Sequence, residues 1–397
     1  MRVLSLGETA LANEFVEAAQ RGQPQDRFPL TVHLCRGCGH AQLLDIVDPV
    51  RLFRDYVYVS STSPVFVEHF RRYAAAMQDR LRLAPGAQVV DIGSNDGVLL
   101  RQFKQLGLEV LGIDPARAIA QEATRQGIQT LPEFFSPELA QRLRAQGWRP
   151  SLICANNVFA HADDLHGITE GVAHLLAPDG VFVFEVSYLL DVVDKGLFDT
   201  IYHEHVSYHS VKPLVAFFAR HGLELIDASR VDSHGGSLRG MAQRVGGPRR
   251  REARVQELTE LEASRGLQGP EAFGRFAARL DALKRELGDL VRGLKAQGKR
   301  LAGFGAPAKA TTLMSFFELG PELIDYLMDD SPLKQGLFTP GSHIPVVASS
   351  ALDDPARRPD YALILAWNFA DSIIQRHRRF VEAGGHFIVP LPQLEVR

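Results

Sequence analysis

The sequence predicts an α/β protein in which two units of alternating strands and helices follow a small N-terminal module. In the first unit the short apolar runs are QVVDIGS, EVLGID, SLICANN and GVFVFEVS, with helical stretches between them. In the second unit the runs are RLAGFGA, LIDYLMDD, YALILAWN and HFIVPLP. Because strands that alternate with helices are joined by crossover connections, each unit is expected to contain a mainly parallel sheet.

These patterns divide the chain into four segments. Residues 1–85 form the N-terminal module, with short strands around a Cys pair and a Tyr/Ser-rich loop, DYVYVSSTSP. Residues 86–247 form the first α/β unit, and residues 297–397 form the second, smaller one. Between them, residues 248–296 are rich in Arg, Glu, Ala and Leu at helical spacing, which predicts connecting helices.

The composition limits the class of partner. The chain has 44 basic and 47 acidic residues, so its net charge of -3 provides no strong field for nucleic acid or an anionic membrane. No apolar run reaches the roughly 18 residues that a membrane span needs, and no signal segment follows Met1. We therefore expect a cytoplasmic protein with a small-molecule partner. The sequence predicts no particular oligomeric state.

The first strand of the central unit runs into a glycine-rich loop, VVDIGSNDG. Gly93 and Gly97 allow sharp turns and close backbone approach to a ligand. The pattern lacks the G-x-G-x-x-G of dinucleotide sites, and its acidic side chains suit the ammonium group of S-adenosylmethionine (SAM). The residues expected to contact this cofactor are Asp91, Gly93, Ser94, Asn95, Asp96 and Gly97. The alternative for the acidic residues is that they form turns or cap helices.

The next strand, EVLGID, ends in Asp114, close to the spacing at which an acidic side chain binds ribose hydroxyls. In order with LPEFF and CANNVFAH, these segments resemble the class I SAM-dependent methyltransferases. The resemblance implies a Rossmann-like central domain. It also implies that Glu133 or Phe134 lies near the adenine, and that Asn156, with Asn157 beside it, lies near the methionine end.

A segment rich in titratable side chains, LFDTIYHEHVSYHS, occupies residues 197–210. Histidine titrates near neutrality, and a carboxylate neighbour such as Glu204 can orient it and raise its basicity, which favours general base chemistry. The alternatives are solvated histidines or a metal site, although H-E-H lacks the H-E-x-x-H spacing of zinc proteases.

Five motifs in this order resemble the C-methyltransferases that act on nucleotide-linked 4-keto deoxysugars, the makers of branched antibiotic sugars. The motifs are YVYVSSTSP, NNVFAHADD, HEHVSY, GGSLRG and GFGAPAKATTL, and they extend over nearly the whole chain. The resemblance implies that a base removes the proton next to the sugar ketone and that the enolate carbon takes the methyl group. No metal is required for this reaction.

By the same resemblance His205 is the base, with Glu204 and Tyr202 beside it. His161 and either Tyr56 or Tyr58 would hold the enolate oxygen or the sugar; the alternative for His161 is a partly buried histidine with satisfied hydrogen bonds. The remaining residues expected to contact the nucleotide-diphospho-sugar are Ser60, Ser61, His203, Gly236, Ser237 and Lys309. Lys309 lies one turn into the presumed helix that follows Gly303 and Gly305, which suits a diphosphate, and tight strand-to-helix packing is a nearly equal alternative.

The N-terminal module of the resembling family carries two C-x-x-C pairs that bind a structural zinc ion. This chain has one such pair, Cys35 and Cys38, with His33 and His40 nearby. Zinc takes four ligands, so these residues leave two alternatives, a zinc site with substitute ligands or a pair of reduced thiols. Cys154 is expected in a core strand.

Two other functions are compatible with these patterns. The first is a SAM-dependent methyltransferase whose enolisable acceptor is not a sugar. The second is an NAD-linked or nucleotide-binding Rossmann protein, because glycine loops are shared among functions.

Overall fold

The computed structural model describes residues 1–54, 59–62, 64–233 and 235–397. Its strands are β1 Arg2–Thr9, β2 Phe28–Leu34, β3 Ala41–Leu43, β4 Gln88–Ile92, β5 Glu109–Ile113, β6 Thr130–Leu131, β7 Leu152–Asn156, β8 Val181–Ser187, β9 Ser207–Tyr208, β10 Leu223–Val231, β11 Ser237–Arg244, β12 Leu301–Phe304, β13 Leu327–Asp329, β14 Val346–Ala348, β15 Tyr361–Ile364, β16 His386–Val389 and β17 Glu395–Val396.

The helices are α1 Pro49–Phe53, α2 Pro64–Leu81, α3 Val98–Gln105, α4 Arg117–Arg125, α5 Pro137–Ala145, α6 Leu165–Leu175, α7 Leu189–Lys195, α8 Val211–Arg220, α9 Ala253–Ser264, α10 Pro270–Ala296, α11 Ala308–Phe316, α12 Ala370–Arg376 and α13 Arg378–Glu382. Capping side chains and prolines mark the starts of some helices. At α5, for example, the Ser136 side chain accepts a hydrogen bond from the Leu139 N–H, and Pro137 occupies the first turn. No helix within the described residues is long and apolar enough to cross a bilayer.

The central sheet has the strand order β10-β11-β8-β7-β4-β5-β6. All its pairings are parallel except those of β11, which runs antiparallel to both β8 and β10. The chain winds outward in both directions from β4, so β4 and its neighbour β7 flank the switch point of the sheet. Ligands of such sheets bind outside the carboxyl ends of the strands at that point.

The C-terminal sheet has the order β14-β13-β12-β15-β16-β17, parallel except for β17. Its switch point lies between β12 and β15, directly before the GAPAK loop. Two mainly parallel sheets with flanking helices confirm the predicted α/β fold class.

A third sheet joins the N-terminal module to the central unit. Its order is β1-β2-β3-β9, and all its pairings are antiparallel. Strand β9 comes from the HEHVSY motif, which therefore completes the sheet of the N-terminal module. Because β9 pairs with β3, the H-E-H segment is held between the N-terminal module and the central unit.

The core between α2, α3 and the central sheet contains Tyr73, Phe103 and Cys154, all buried. The Tyr73 hydroxyl lies 3.7 Å from the Cys154 Sγ. The expectation that Cys154 is a core strand residue is confirmed, because its side chain is 0% exposed at the centre of β7.

Candidate active site

The glycine loop passes close to neighbouring side chains at the carboxyl end of β4. A Cβ atom at Gly93, which has φ of 70°, would lie 2.2 Å from the Val158 Cγ2. A Cβ atom at Gly97, with φ of 76°, would lie 2.9 Å from the Ile128 Cγ2. Only glycine fits both the backbone angles and the space, so the loop forms a cradle of bare backbone at the switch point.

Asp114 holds this loop in place from the end of β5. Its Oδ2 accepts a hydrogen bond from the Asn95 N–H at 2.8 Å, and its Oδ1 accepts one from the Ala116 N–H at 2.9 Å. Burial raises the pKa of the carboxyl group, and the two backbone donors partly offset this effect. Each oxygen keeps a further lone pair, so the carboxylate can also accept bonds from ribose hydroxyls.

Asp91 lies on the neighbouring strand, with only 4% of its surface exposed. Burial, together with the nearby Asp114, raises the pKa of the Asp91 carboxyl group well above its usual range. A cation placed beside these carboxylates would stabilise their ionised forms, because an opposite charge favours the charged state. The Asp91 carboxylate therefore suits the ammonium group of the cofactor.

Asn156 ends β7 on the other side of the switch point. Its side-chain oxygen and nitrogen are both inaccessible to solvent and make no hydrogen bond within the described part of the chain. An unpaired buried amide is costly, so its place beside the glycine cradle indicates that a ligand satisfies it. Asn157 follows with φ of 55°, and its N–H donates to the Glu185 carbonyl. The glycine cradle, the carboxylates of Asp91 and Asp114 and the amide of Asn156 together suit SAM as the ligand.

Two predicted cofactor residues make contacts within the fold. The Asp96 Oδ2 pairs with Arg101 at 3.1 Å, whereas its Oδ1 is buried without a hydrogen-bond partner among the described residues, so the role of Asp96 at the ammonium group stays a prediction. The Ser94 hydroxyl points into the sheet, because a Cβ at Gly112 would lie 2.4 Å from its Oγ. The first residue stabilises the start of α3, and the second packs against β5.

The predicted adenine neighbours lie at the surface. Glu133 accepts two hydrogen bonds of 2.6 Å from Arg142, and Phe134 is 40% exposed. The Glu133 carboxylate is thus already paired, whereas the exposed Phe134 ring is open to contact with a bound base.

On the acceptor side, four aromatic rings stack in a column. The Phe53 ring of α1 lies 5.5 Å from the His161 ring with only 3° between their planes. The other contacts of the column join His161 to His205, with centroids 4.9 Å apart, and His205 to Tyr202, at 4.1 Å. The structure therefore brings together three of the predicted catalytic residues, and it adds Phe53, which the sequence analysis missed.

The His205 imidazole has a defined orientation. Its Nδ1 lies 2.7 Å from the Thr200 carbonyl oxygen, which can only accept, so Nδ1 carries the proton and Nε2 presents a lone pair. Burial lowers the pKa of this imidazole to about 4, which leaves it neutral at pH 7. Glu204, the predicted neighbour of the base, accepts a 2.6 Å hydrogen bond from the Asn13 amide of the N-terminal module, and its role beside His205 stays a prediction.

The Tyr/Ser loop contacts the cofactor loop at Ser60. The backbone N–H of Ser60 donates to the Asn95 Oδ1 at 2.9 Å, and Ser61 is exposed. Tyr56 and Tyr58 lie outside the described residues. The contact at Ser60 links the segment before α2 directly to the SAM loop.

Three predicted sugar contacts have structural partners. The buried His203 ring packs edge-on against Phe28, and its Nε2 lies 3.2 Å from the Pro29 carbonyl. The Ser237 side chain is 0% exposed, and its hydroxyl donates to the Ser233 carbonyl. A Cβ at Gly236 would meet Asp191 at 2.6 Å. These contacts fasten the N-terminal module and shape the turn before β11. The His203 Nδ1 is buried without a hydrogen-bond partner among the described residues, and the assignment of the three residues to the sugar stays a prediction.

Lys309 is also committed within the fold. Its ammonium group donates to the Asn368 Oδ1 at 2.8 Å, lies 3.7 Å from the Asp199 Oδ2 and sits 4.2 Å above the Trp367 ring. Gly305 packs its Cα against Ala366, where a Cβ would come within 2.9 Å. The GAPAK loop therefore packs tightly between strand and helix, and a role of Lys309 toward a diphosphate stays a prediction.

A buried charged cluster on β8 was not anticipated. The Glu185 carboxylate, 1% exposed, accepts from the Arg239 Nε at 2.9 Å and pairs with the His69 Nε2 at 3.2 Å. Burial raises the pKa of Glu185, but the His69 hydrogen bond and the Arg239 charge outweigh it, so the net shift is downward. In the sheet Glu185 lies directly beside Asn156. The signal in the sequence was the single acidic residue within the apolar run GVFVFEVS.

The described residues do not fit a zinc site. Cys35 and Cys38 are free thiols, and within the described ranges no group of three or more His, Cys, Asp or Glu side chains is placed to hold a metal ion. The nearby histidines have other partners: His33 contacts the Thr31 carbonyl, and His40 contacts the Ser207 hydroxyl. A zinc ion requires more ligands than these thiols supply.

Comparison with known proteins accounts for most of the chain. Residues 1–53 match the model of a putative zinc binding domain, residues 66–228 a methyltransferase domain, and residues 232–392 a C-methyltransferase C-terminal domain. The C-methyltransferase NovU of Streptomyces niveus is 37% identical over 394 residues, which cover 99% of this chain and 93% of that protein. A ubiquinone biosynthesis O-methyltransferase of a Methylobacterium species is 30% identical over 30% of this chain and 50% of its own length.

Among solved structures, magnesium protoporphyrin IX methyltransferase of Synechocystis with bound SAM aligns at 17% identity with a TM-score of 0.34, covering 49% of this chain and 88% of its own. A putative SAM-dependent methyltransferase of Listeria monocytogenes aligns at 13% identity with a TM-score of 0.33, covering 43% and 99%. The family assignment rests on the sequence matches over nearly the full chain. The protein belongs to the family of class I SAM-dependent C-methyltransferases, which confirms the resemblance that its motifs indicate.

Proposed function

We propose that this C-methyltransferase deprotonates the carbon next to the ketone of a nucleotide-diphospho 4-keto deoxysugar and methylates the resulting enolate. The observation that carries the proposal is the neutral His205 imidazole, whose proton is fixed on Nδ1 by the Thr200 carbonyl at 2.7 Å. A group in this state is a proton acceptor with a defined direction, which is what removal of a C–H proton requires.

In this mechanism the proton moves from the sugar carbon to the Nε2 of His205. The ketone acidifies that C–H bond, and the electrons of the broken bond form the enolate. The imidazolium that results keeps its Nδ1–H bond to the Thr200 carbonyl, which accepts a stronger hydrogen bond from a cation. The burial that lowers the pKa of His205 keeps the base unprotonated before the substrate binds.

The negative charge that develops on the enolate oxygen needs hydrogen-bond donors. His161 and Tyr202 flank His205 in the ring column and carry N–H and O–H groups. We assign them to the oxygen, because donors placed where charge develops provide the largest electrostatic contribution to such reactions. Tyr56 or Tyr58 is assigned the same role on the basis of the family resemblance.

When bound, SAM would supply a sulfonium methyl group to the enolate carbon, and S-adenosylhomocysteine would leave as the methyl–sulfur bond breaks. Asp114 is assigned to the ribose hydroxyls, Asp91 to the ammonium group and Asn156 to the methionine end. The support is the glycine cradle, the buried carboxylates and the unpaired Asn156 amide. The Glu185 cluster, directly beside Asn156, closes the same end of the sheet.

The sugar as acceptor rests on two supports. One is the motif resemblance, and the other is the high coverage of the similarity to the C-methyltransferase NovU. In this proposal the central domain (residues 86–247) and the C-terminal domain (residues 297–397) enclose the nucleotide-sugar, with 248–296 connecting them. The N-terminal module (residues 1–85) covers the acceptor side. The alternative of an NAD-linked protein is not retained, because the family is a methyltransferase family.

The test is to incubate the protein with trideuteromethyl-SAM and a thymidine-diphospho 4-keto-6-deoxysugar and to read the product by mass spectrometry and NMR. We expect one labelled methyl group on carbon adjacent to the ketone. The matched control is His205→Asn, which should leave the sugar unmodified. Methylation only of non-sugar ketones offered in parallel would overturn the sugar assignment, and a methyl group found on oxygen would overturn the enolate mechanism.

A further inference from the structure

The C-terminal domain grips the chain just before the H-E-H segment. A tight turn at Phe198–Thr200 packs on helix α11, where the Phe198 ring lies 4.8 Å from the Phe316 ring and 5.3 Å from the Phe317 ring. Phe198 is completely buried in this contact. The turn is therefore anchored on the C-terminal domain, although it belongs by sequence to the central unit.

A second anchor holds the next residue. The Asp199 Oδ2 accepts a 2.5 Å hydrogen bond from the Trp367 indole N–H, and the Lys309 ammonium group lies 3.7 Å from the same oxygen. Asp199 is 0% exposed and Trp367 is 8% exposed. A buried carboxylate requires such partners, so the position of Asp199 is determined by side chains of the C-terminal domain.

A third anchor lies two residues further on. The Thr312 hydroxyl of α11 donates to the Ile201 carbonyl at 2.8 Å, and its side chain is 1% exposed. Thr200 stands between the two anchored residues, and its own hydroxyl donates to the Leu197 carbonyl at 2.7 Å. With both neighbours fixed, the direction of the Thr200 carbonyl is fixed as well. That carbonyl is the acceptor of the His205 Nδ1–H.

We propose that Trp367, Lys309 and Thr312 are positioning residues: they aim the Thr200 carbonyl and thereby set the tautomer and orientation of the His205 imidazole. We name this set the turn clamp. The inference rests on the proposed function to the extent that His205 acts there as the base. It gives the C-terminal domain a part in proton transfer that does not depend on contact with the sugar.

The turn clamp makes a prediction that simple domain packing does not. If its side chains only stabilised the fold, their loss would lower the melting temperature and leave the imidazole unchanged. If they aim the carbonyl, their loss releases the Nδ1–H bond and lets the imidazole populate both neutral tautomers. Tautomer and turnover therefore have to change together.

The test uses Thr312→Val, which preserves shape and removes the hydroxyl, and Trp367→Phe, which removes the indole N–H. The matched control is Ser315→Ala, which deletes a hydroxyl one turn along α11 that bonds the Glu8 carbonyl. Histidine tautomers are read by ¹⁵N NMR of the folded full chain, and the His205 signals are identified by their loss in His205→Asn. Thermal melts establish that each variant is folded.

We expect the control to match the wild type. In the two clamp variants we expect a mixed His205 tautomer and a fall in kcat of about tenfold, the factor that one neutral hydrogen bond represents, with unchanged KM for SAM. An unchanged His205 tautomer in both folded clamp variants would overturn the proposal, as would wild-type turnover despite a changed tautomer. Full turnover of His205→Asn would instead overturn the proposed function, so the two failures are distinguishable.

Discussion

The imidazole rings of His161 and His205 lie with their centroids 4.9 Å apart and their planes within 23° of each other. Two imidazolium ions at this separation would repel strongly, so protonation of one ring lowers the pKa of the other. The pair therefore suits a division of roles in which His205 takes the proton while His161 donates a hydrogen bond.

Replacement of His161 by Phe tests this division. Phe keeps a flat ring between Phe53 and His205 but has no N–H to donate. We expect kcat to fall by about 100-fold, the lower range for loss of one oxyanion donor, while SAM binding measured by calorimetry stays unchanged. A His161→Phe enzyme with wild-type kcat would remove His161 from the reaction and leave it with a packing role.

Replacement of His205 by Asn removes the base without adding bulk. We expect turnover to fall by at least about 100-fold, because general base catalysis contributes that much or more. The dissociation constant for SAM should not change, since the base acts on the acceptor. His174→Asn, at an exposed site on α6, is the control for loss of a histidine. Retained turnover in His205→Asn would mean that another group removes the proton.

The pH profile follows from the buried state of His205. Burial lowers its pKa to about 4, and only the neutral ring can accept a proton. Activity should therefore hold as the pH falls from 7 through the ordinary histidine range near 6.5 and be lost only towards about pH 4. The measurement is kcat/KM in brief assays after a pH jump, with recovery of activity on return to pH 7 as the control. An acid limb near pH 6.5 would contradict the assignment.

SAM binding distinguishes two acidic residues that the sequence treats alike. Asp114→Ala removes the carboxylate that holds the Asn95 N–H, and we expect the dissociation constant for SAM to rise at least about tenfold, in line with loss of a charged hydrogen bond. Asp96→Asn should raise it less, because one oxygen of that carboxylate pairs with Arg101 and the amide keeps an oxygen at the site. The dissociation constants of both variants are measured by calorimetric titration. A larger loss of SAM affinity in Asp96→Asn than in Asp114→Ala would make Asp96 the more important of the two residues for the cofactor.

Stability should fall as the pH drops below the ordinary pKa of histidine. Burial lowers the pKa of His40 to about 4 and that of His209 to about 3, whereas both titrate near 6.5 when the chain unfolds. Between those values the unfolded chain binds more protons, so the free energy of unfolding decreases with falling pH.

His40→Gln removes one of the two titrating groups and keeps a polar atom that can contact the Ser207 hydroxyl. Urea denaturation between pH 4.5 and 6.5 should show the pH slope of the unfolding free energy reduced by up to about 1.4 kcal/mol per pH unit. The control is His386→Gln, at an exposed position of β16. A slope equal to that of the wild type would show that His40 is protonated in the folded protein.

The geometry of the glycine loop could be predicted from the sequence because its determinants are local. Gly93, Gly97 and Asp114 act through backbone angles and strand ends, which a short motif encodes. Asp96 belongs to the same motif, but the motif does not show that one of its oxygens pairs with Arg101 on the following helix. Spacing alone does not show which way a side chain points within a loop.

The geometry of the acceptor side could be predicted only in part, because it depends on contacts between distant parts of the chain. The group that orients His205 is a backbone carbonyl, at Thr200, and a carbonyl leaves no trace in the residue type. Lys309 has the pattern of an anion site, but its partner Asp199 lies 110 residues earlier and meets it only in the folded protein. The prediction that His161, Tyr202 and His205 come together nevertheless agrees with the ring column.

The most direct test of enolate formation by His205 is exchange of the sugar proton without methyl transfer. The protein is incubated in heavy water with S-adenosylhomocysteine and a thymidine-diphospho 4-keto-6-deoxysugar, and the sugar is read by mass spectrometry and NMR. We expect one proton next to the ketone to be replaced by deuterium, and we expect His205→Asn to abolish this exchange. No exchange above the rate without enzyme, in protein shown to bind the cofactor, would contradict His205-catalysed enolate formation on this sugar.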